Sequence, residues 1–336
     1  MLAKSRILRG VRGVVTLVLA AVLVISATAG SSYAQSSASN TANTLKVTPV
    51  RTDLQIEAGK TGTVDVIVSN LTGNDVTVAA IENDFIQGDE SGTPSIILDA
   101  NEYAPTHSLK RFMQPLKNVT VPAKKSTTVT VTINVPATAQ AGGYFGALRF
   151  APTTPDSGGQ VNLSASVASL ILLTVPGPVT EKLDLTSFTL QQGNKPGADF
   201  RTPNDLKVAF RFENHGNIQQ GPFGKISVRQ GNKVVYDYDF NISTPRDMVL
   251  PDGARKWEVP LKEIGQFGHY TVNATFTYGS KNQTIEVERS FWVIPTSFII
   301  GAIVALVLLV GLIVWLIFFL RGRRRRAIRR RMSRRR

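Results

Sequence analysis

Alternating apolar and polar residues dominate the middle of the chain. Residues 63–69, 75–81 and 127–135 are β-branched runs with a period of two, bounded by Gly, Pro or Asn, and residues 144–150 and 161–175 continue the series. Such runs, about 10 to 15 residues apart and without helical periodicity, are typical of antiparallel β-sandwiches. The pattern predicts an all-β first half.

The second half of the chain repeats this scheme. Gln230-Gly231-Asn232 indicates a tight hairpin, and Pro176-Gly177-Pro178 indicates a short, stiff linker between the two halves. The predicted strands are residues 183–190, 206–213, 225–229, 233–240, 270–276 and 284–293. We therefore predict an all-β fold of two tandem immunoglobulin-like β-sandwiches, over residues 45–178 and 179–293.

One late strand in each half begins with a tyrosine close behind a glycine, at Gly143-Tyr144 and Gly268-His269-Tyr270. This is the tyrosine-corner position of immunoglobulin-like sandwiches, where the hydroxyl bonds to backbone upstream. Tyr144 and Tyr270 are therefore structural candidates. An ordinary half-buried strand tyrosine is the alternative for both.

The N-terminal region has the form of a secretory signal peptide. Basic residues precede an uncharged, mostly apolar run at residues 14–25, and Ser32-Tyr33-Ala34 supplies small residues for cleavage. We predict a signal peptide at residues 1–34 and a polar linker at residues 35–44. An uncleaved anchor helix is the alternative, although the apolar run is shorter than the ~20 residues that span a bilayer.

The C-terminal region contains a longer apolar segment. Residues 298–320 hold no charge and, as a helix, reach about 35 Å, enough to cross a bilayer. Eleven Arg follow in residues 321–336, so the positive-inside rule places this tail in the cytoplasm. We predict a single-pass plasma-membrane protein with residues 35–297 outside.

Charge is concentrated at the two ends. Lys plus Arg number 38 and Asp plus Glu number 24, a net charge of +14. Residues 1–34 and 321–336 hold four and eleven basic residues and no acid, which leaves 23 basic and 24 acidic residues between them, a net charge of −1. The charge balance of the middle segment therefore does not indicate a nucleic-acid-binding protein.

The Arg-rich tail predicts contact with membrane lipids, since each basic residue near an anionic leaflet contributes about 1 kcal/mol. RNA binding is the alternative, but no aromatic residues for base stacking are interleaved. We expect no nucleic-acid partner. The lipid-contact residues of this prediction are Arg321, Arg323, Arg324, Arg325, Arg326, Arg329, Arg330 and Arg331.

Candidate chemistry is sparse. Cysteine is absent, which excludes disulfides and thiolate sites and, in a large exported segment, points to a bacterium. The three histidines do not form metal-binding pairs, and no nucleophile elbow, zinc-protease motif or nucleotide-binding loop occurs. We predict no catalytic, cofactor or metal site and no enzyme. Whether the acidic residues within 82–102 bind calcium stays open.

Several segments of the first half resemble the WxL-interacting class of bacterial surface proteins. They are Val47-Thr-Pro-Val-Arg, Glu57-Ala-Gly-Lys-Thr-Gly-Thr-Val, Val68-Ser-Asn-Leu-Thr and Ala141-Gly-Gly-Tyr-Phe-Gly-Ala-Leu-Arg-Phe. The resemblance covers about residues 45–178, and the second half only by position and strand pattern. It implies a first domain associated with peptidoglycan and a second associated with partner proteins.

Two functions are expected. The first is a cell-surface binding or scaffolding protein that tethers cell-wall glycan or a secreted partner. The alternative is a chaperone-like accessory that assembles or exports surface proteins by β-strand addition. A long, unblocked edge strand in the first domain would favour the alternative, and Lys or Pro on that edge would weaken it.

Overall fold

The computed structural model describes residues 44–153 and 166–333, apart from the side chains of residue 318 and residues 320–333. The predicted signal peptide, residues 35–43 of the predicted linker and residues 154–165 lie outside the described residues. All strands and the helix belong to one unit, Leu45–Arg336.

The described part of the first domain contains nine strands in two sheets. A three-stranded sheet has the order β1-β3-β7, and a larger sheet has the order β2-β9-β8-β4-β5, with β6 paired to β4. A short 3-10 helix, Lys110–Phe112, lies between β5 and β6. The strands are β1 Leu45–Thr48, β2 Arg51–Gln55, β3 Thr61–Asn70, β4 Val76–Gln87, β5 Pro94–Ile96, β6 Val119–Val121, β7 Ser126–Asn134, β8 Gly142–Pro152 and β9 Val167–Val175.

The core of the first domain is mainly aliphatic. Alternate residues of β3 (Val64, Val66 and Val68) point inward and meet Leu148 and Phe150 of β8 in one buried cluster. The period-two pattern of the sequence thus becomes the two faces of each strand, one buried and one exposed.

The second domain also contains nine strands in two sheets, of order β11-β10-β13-β16 and β12-β18-β17-β14-β15. Gly231 adopts a φ of +59° in the predicted hairpin between β14 and β15, a conformation that favours glycine. The strands are β10 Leu183–Gln192, β11 Lys195–Pro196, β12 Asp199–Phe200, β13 Leu206–Asn214, β14 Phe223–Gln230, β15 Lys233–Phe240, β16 Ala254–Pro260, β17 Gly268–Tyr278 and β18 Gln283–Val293.

Aromatic side chains build the core of the second domain. Phe210 is fully buried and its ring lies within 6.1 Å, centre to centre, of the rings of Phe188, Phe212, Phe240, Trp257 and Phe276. Aromatic pairs in edge and offset geometry add stabilisation beyond the area they bury. The predicted fold class, two sandwich domains of immunoglobulin-like type, is confirmed.

The C-terminal helix α1 spans Thr296–Ser333 and begins three residues after β18 ends. Its segment Thr296–Ile317 is long and apolar enough to cross a membrane and is not buried against the rest of the protein. The side chains of the predicted lipid-contact arginines lie outside the described residues, so their role stays a prediction.

The two domains contact each other directly. Phe85, Phe145 and Leu172 lie on the outer face of the larger sheet of the first domain, and Leu250 of the second domain is buried against them. Asn217 of the second domain accepts a hydrogen bond from the Gly143 amide (2.9 Å) and donates one to the Ala141 carbonyl (2.8 Å). The junction therefore combines an apolar cluster with direct hydrogen bonds.

Candidate functional site

The edge of β9 in the first domain is closed by β2. The two strands are parallel, and their register runs from Arg51 opposite Leu170 to Gln55 opposite Thr174. The Leu170 amide donates to the Val50 carbonyl (2.8 Å), and the Ile56 amide donates to the Thr174 carbonyl (3.2 Å). Within this stretch an incoming strand would find the backbone of β9 already paired.

In the part of the chain that the structure describes, the edge of β18 in the second domain is paired only at its C-terminal end. There β12 pairs with Trp292 and Val293, and the Trp292 amide donates to the Ala198 carbonyl (2.7 Å). Successive residues of a strand direct their backbone groups to opposite sides. The amides and carbonyls of Thr284, Glu286, Glu288 and Ser290 therefore point outward like those of Trp292, and they have no backbone partner among the described residues. We call this stretch, residues 284–290, the open edge.

The two faces of the open edge differ in character. Ile285 and Val287 are half-buried on the face that packs on the core, whereas Glu286 and Glu288 are exposed on the other face. Neither glutamate lies within salt-bridge distance of a basic side chain in the described part of the chain. The open edge thus offers main-chain hydrogen bonds, two partly exposed apolar side chains and two free negative charges.

Sequence analysis predicted β18 but did not recognise it as a site. The available signal was the alternation Ile285-Glu286-Val287-Glu288, because charged residues on a strand are a common protection of exposed sheet edges.

The outer side of β15 is a second edge of the same sheet that no described strand pairs. Val234 and Tyr238 are 42% and 38% exposed. Asp237 of β15 lies 3.0 Å from the ammonium group of Lys225, and hydrogen bonds from Ser227 and Lys225 hold the pKa of Asp237 below its usual value. The strand is also irregular where it pairs with β14 near Val228 and Arg229. The bulge and the ion pair between Asp237 and Lys225 make β15 a less suitable template for an added strand than the open edge of β18.

The edge of β16 is contacted by the first domain. The Lys256 amide donates to the Glu90 carbonyl (2.6 Å), and the Arg211 guanidinium donates to the Glu90 carboxylate at 2.7 Å and to the Glu213 carboxylate at 2.9 Å. These hydrogen bonds raise the pKa of Arg211 and lower the pKa of Glu213. The edge of β16 is therefore engaged at the domain junction.

The two predicted tyrosines make contacts to upstream backbone. The Tyr144 hydroxyl donates to the Gln140 carbonyl (2.9 Å), and burial raises the pKa of this hydroxyl. The Tyr270 hydroxyl accepts a hydrogen bond from the Gly265 amide (3.0 Å). Both contacts are made within the domain that carries the tyrosine, and the tyrosine-corner role of Tyr144 and Tyr270 stays a prediction.

A cavity of about 310 Å³ lies beside Tyr144 at the domain junction. His107 and Asn217 line it, and the His107 Nδ1 is 2.6 Å from the Gly143 carbonyl. No second titratable side chain apart from Tyr144 is among the described lining residues. The rings of His107 and Tyr144 lie 6.4 Å apart, centre to centre.

Three of the acidic residues within 82–102, Glu82, Asp84 and Asp89, make hydrogen bonds within the first domain. The buried carboxylate of Asp84 accepts hydrogen bonds from the Ala104 and Lys110 amides (2.9 and 2.8 Å), and the Glu82 carboxylate accepts one from Leu116 (2.7 Å). Asp89 bonds to Ser91, which lowers its pKa. Across the described residues, no three His, Asp or Glu side chains are grouped to hold a metal ion.

Comparisons with known proteins give a likeness of fold. No protein-family model and no curated protein matches the chain. Similar solved structures include the E. coli chaperone DraB, at 13% identity, with 74% of this chain and 98% of that chain covered and a TM-score of 0.33.

Two further examples come from the same group of structures. The Pseudomonas aeruginosa chaperone CupB2 is 10% identical, with 73% of this chain and 100% of that chain covered and a TM-score of 0.34. The class 5 fimbriae chaperone CfaA is 12% identical, with 74% and 98% covered and a TM-score of 0.37. At scores this low the likeness carries no argument about function. The resemblance to WxL-interacting proteins stays a prediction.

Proposed function

We propose that this chain is a membrane-anchored, chaperone-like accessory that binds an extended segment of an exported or surface protein by strand addition. We call that segment the client. One observation carries the proposal, the open edge of β18, where the outward-facing groups of four alternate residues have no backbone partner among the described residues. One of them, the Glu288 carbonyl, accepts a hydrogen bond from the guanidinium of the neighbouring Arg289 (2.9 Å), which an added strand would replace. In strand addition, main-chain hydrogen bonds supply affinity and the alternating side chains supply selectivity.

The charges of the open edge indicate the chemistry of the client. Like charges on directly opposite residues of paired strands are destabilising, and opposite charges are favourable. Glu286 and Glu288 therefore disfavour pairing of two copies of β18 and favour a client with Lys or Arg at alternate positions. Apolar residues of the client would then face Ile285 and Val287.

As a membrane anchor, α1 would hold this edge close to a membrane. Ser290 lies six residues before Thr296, where α1 begins, so at about 3.3 Å per residue the edge starts within roughly 20 Å of the apolar helix. In the proposed topology the mature N-terminus is outside, α1 spans the plasma membrane and the Arg-rich tail is cytoplasmic. A client segment that emerges from the membrane would therefore meet the open edge before it meets the first domain.

Tethering of cell-wall glycan or a secreted partner by the first domain is the rival function. It rests on the resemblance of residues 45–178 to WxL-interacting proteins and does not require the open edge. Co-sedimentation with purified peptidoglycan that survives disruption of the open edge would favour it.

A matched pair of variants tests the proposal on the full chain in its membrane. The double variant Glu286→Pro with Glu288→Pro removes two outward-facing amides that do not bond to β17. We expect the fold to be kept, because proline is tolerated on edge strands. Glu286→Ala with Glu288→Ala removes the same charges and keeps both amides. A photo-crosslinking residue at Ser290 reports the client in living cells.

Each lost main-chain hydrogen bond costs about 0.5–1.5 kcal/mol, so we expect the double proline variant to lose roughly tenfold or more of the crosslinked client. The double alanine variant should retain more of it. Equal crosslinking in both variants, with unchanged circular dichroism, would contradict strand addition and leave tethering as the better function.

A further inference from the structure

The end of the second domain nearest to α1 forms a distinct surface. It consists of residues 193–205, the β14–β15 hairpin at residues 229–234 and the loop at residues 262–268. Gln230 in the hairpin lies against this loop, since its amide group is 3.5 Å from the Phe267 carbonyl. Ile294 and Pro295 alone separate β18 from α1. We call these three segments the helix-side face.

An exposed aromatic side chain connects the helix-side face to α1. Phe267 is 49% exposed, and its ring lies 4.7 Å, centre to centre, from the ring of Phe298 in the first turn of the helix. A groove of about 580 Å³ runs beside these two rings and along Gly301 and Ala305 of α1. Because Ala305 is nine residues into α1, or about 13.5 Å along its axis, this groove continues onto the apolar surface that would face lipid.

Basic residues surround this aromatic contact. The three segments hold five exposed basic residues, Lys195, Arg201, Arg229, Lys233 and Lys262, and three exposed acidic residues, Asp199, Asp205 and Glu263. This leaves an excess of two positive charges. In the part of the chain that the structure describes, none of the five basic side chains lies within salt-bridge distance of an acid.

We propose that the helix-side face docks on the anionic leaflet that α1 enters, with Phe267 inserted at the headgroup and acyl-chain boundary and the basic residues on lipid phosphates. The proposal rests on α1 being a membrane anchor. Interfacial segments bury Trp, Phe and Leu side chains at the headgroup and acyl-chain boundary, and basic residues near an anionic leaflet are attracted to it. The occupant of the groove is then a lipid acyl chain of the same leaflet.

Docking of this kind would also fix the orientation of the second domain. A single helix joined by two residues leaves a domain free to tilt, whereas a second contact at Phe267 restricts that tilt. The open edge of β18 would then stand at a defined height and direction above the membrane.

Spin-label depth measurements test this proposal on the full chain. The chain has no cysteine, so each variant carries a single label. Phe267→Cys reports the helix-side face, Lys281→Cys reports the exposed turn at the far end of β18, and Leu308→Cys reports the middle of the apolar segment of α1. The vesicles contain phosphatidylcholine with phosphatidylglycerol, and a second set contains phosphatidylcholine alone.

We expect the label at position 267 to collide much less often with a water-soluble nickel complex than the label at position 281 does. It should collide more often with oxygen, which concentrates in the bilayer. Without phosphatidylglycerol, or with Lys233→Glu and Lys262→Glu added, the label at position 267 should move back toward water. The label at position 308 should be inaccessible to nickel throughout.

Three results would overturn the proposal. If position 267 is as accessible to nickel as position 281 while position 308 is buried, α1 is an anchor but the face does not dock. If position 308 is also accessible, the anchor itself is wrong. If position 267 is equally buried in both lipid mixtures and in the charge-reversed variant, the basic residues do not take part.

Discussion

The final strands of the two domains occupy equivalent places and have different edges. β9 and β18 each pair antiparallel with the preceding strand in the larger sheet of its domain. β2 covers five residues of β9, whereas β12 covers only two residues of β18. The larger sheet of the first domain therefore has a closed edge where that of the second domain has an open one.

The cause of this difference lies in how the chain enters each domain. In the first domain, β1 pairs with β3 for four residues, and the chain then passes at Pro49 to the other sheet, where β2 joins β9. In the second domain, β10 stays in one sheet over its whole length and accommodates only a bulge between Leu185 and Ser187. Because β10 does not cross to the other sheet, it cannot pair with the edge of β18. The two-residue strand β12 is the described strand that pairs there.

Amide hydrogen exchange gives the largest expected contrast. Leu172 and Thr174 of β9 should exchange as slowly as their neighbours Ile171 and Leu173, because both sides of β9 are paired. Glu286 and Glu288 should exchange faster than Ile285 and Val287 by several orders of magnitude, since exposed amides open at about zero cost and core amides only at up to the global unfolding free energy.

The measurement is residue-resolved exchange on the full chain without client. Alternating protection along β18 would support the open edge. Uniform slow exchange of residues 284–290 would contradict it, because another segment would then be paired there.

Removal of a core ring should destabilise the second domain by several kcal/mol. Phe210→Ala deletes a buried side chain that contacts five other aromatic rings, and such substitutions cost about 3–5 kcal/mol. Trp257 and Trp292 report unfolding of this domain, since the first domain has no tryptophan.

Val66→Ala in β3 is the control for this experiment. It should leave the tryptophan transition nearly unchanged if the two domains unfold separately. An equal shift of the tryptophan midpoint by both variants would indicate that the cluster of Leu250 with Phe85, Phe145 and Leu172 couples the two domains into one cooperative unit.

The sequence contained most of the information about the strands. The alternation in residues 63–69 predicts β3, and Gln230-Gly231-Asn232 predicts the hairpin between β14 and β15, because both patterns are local. The closure of β9 by β2 was not predictable in this way. Pro49 signals a break, but no local pattern indicates that residues 51–55 pair with a strand more than 100 residues later.

The sequence of β9 also carries a signal for the covered outer face of the larger sheet. Leu170-Ile-Leu-Leu in β9 is continuously apolar, and strands covered on both faces have this pattern. It indicates that the outer face of the larger sheet is covered, as Leu250 covers it. The helix-side face could not be predicted, because its five basic residues come from three separate segments.

Substitution in β2 should open the closed edge of β9. The Thr52 amide points toward β9, in register with Val50 and Ile56, so Thr52→Pro removes a ladder hydrogen bond. We expect a loss of about 1–2 kcal/mol in unfolding free energy and faster exchange at Leu172. Asp53→Pro is the matched control, because the Asp53 amide points away from β9. Equal effects of the two prolines would mean that backbone restriction, and not the closed edge, is responsible.

The smallest effect expected is a difference in acid sensitivity between the domains. In the second domain, hydrogen bonds from Arg211 and Lys207 lower the pKa values of Glu213 and Glu258. A carboxyl group with a lowered folded-state pKa stabilises the fold above its unfolded pKa, and this stabilisation is lost as the pH falls through the folded value. Among the described carboxyl groups of the first domain, only Asp89 has a lowered pKa, and its hydrogen bond lies within its own turn.

Acidification from about pH 5 to about pH 3 should therefore lower the urea midpoint of the second domain more than that of the first. Tryptophan fluorescence reports the second domain, and amide hydrogen exchange at the tyrosines of the first domain reports the first. The difference should be small, because these groups are exposed and water screens them. Glu258→Gln should reduce it, and an equal acid response of both domains would show that these ion pairs do not distinguish them.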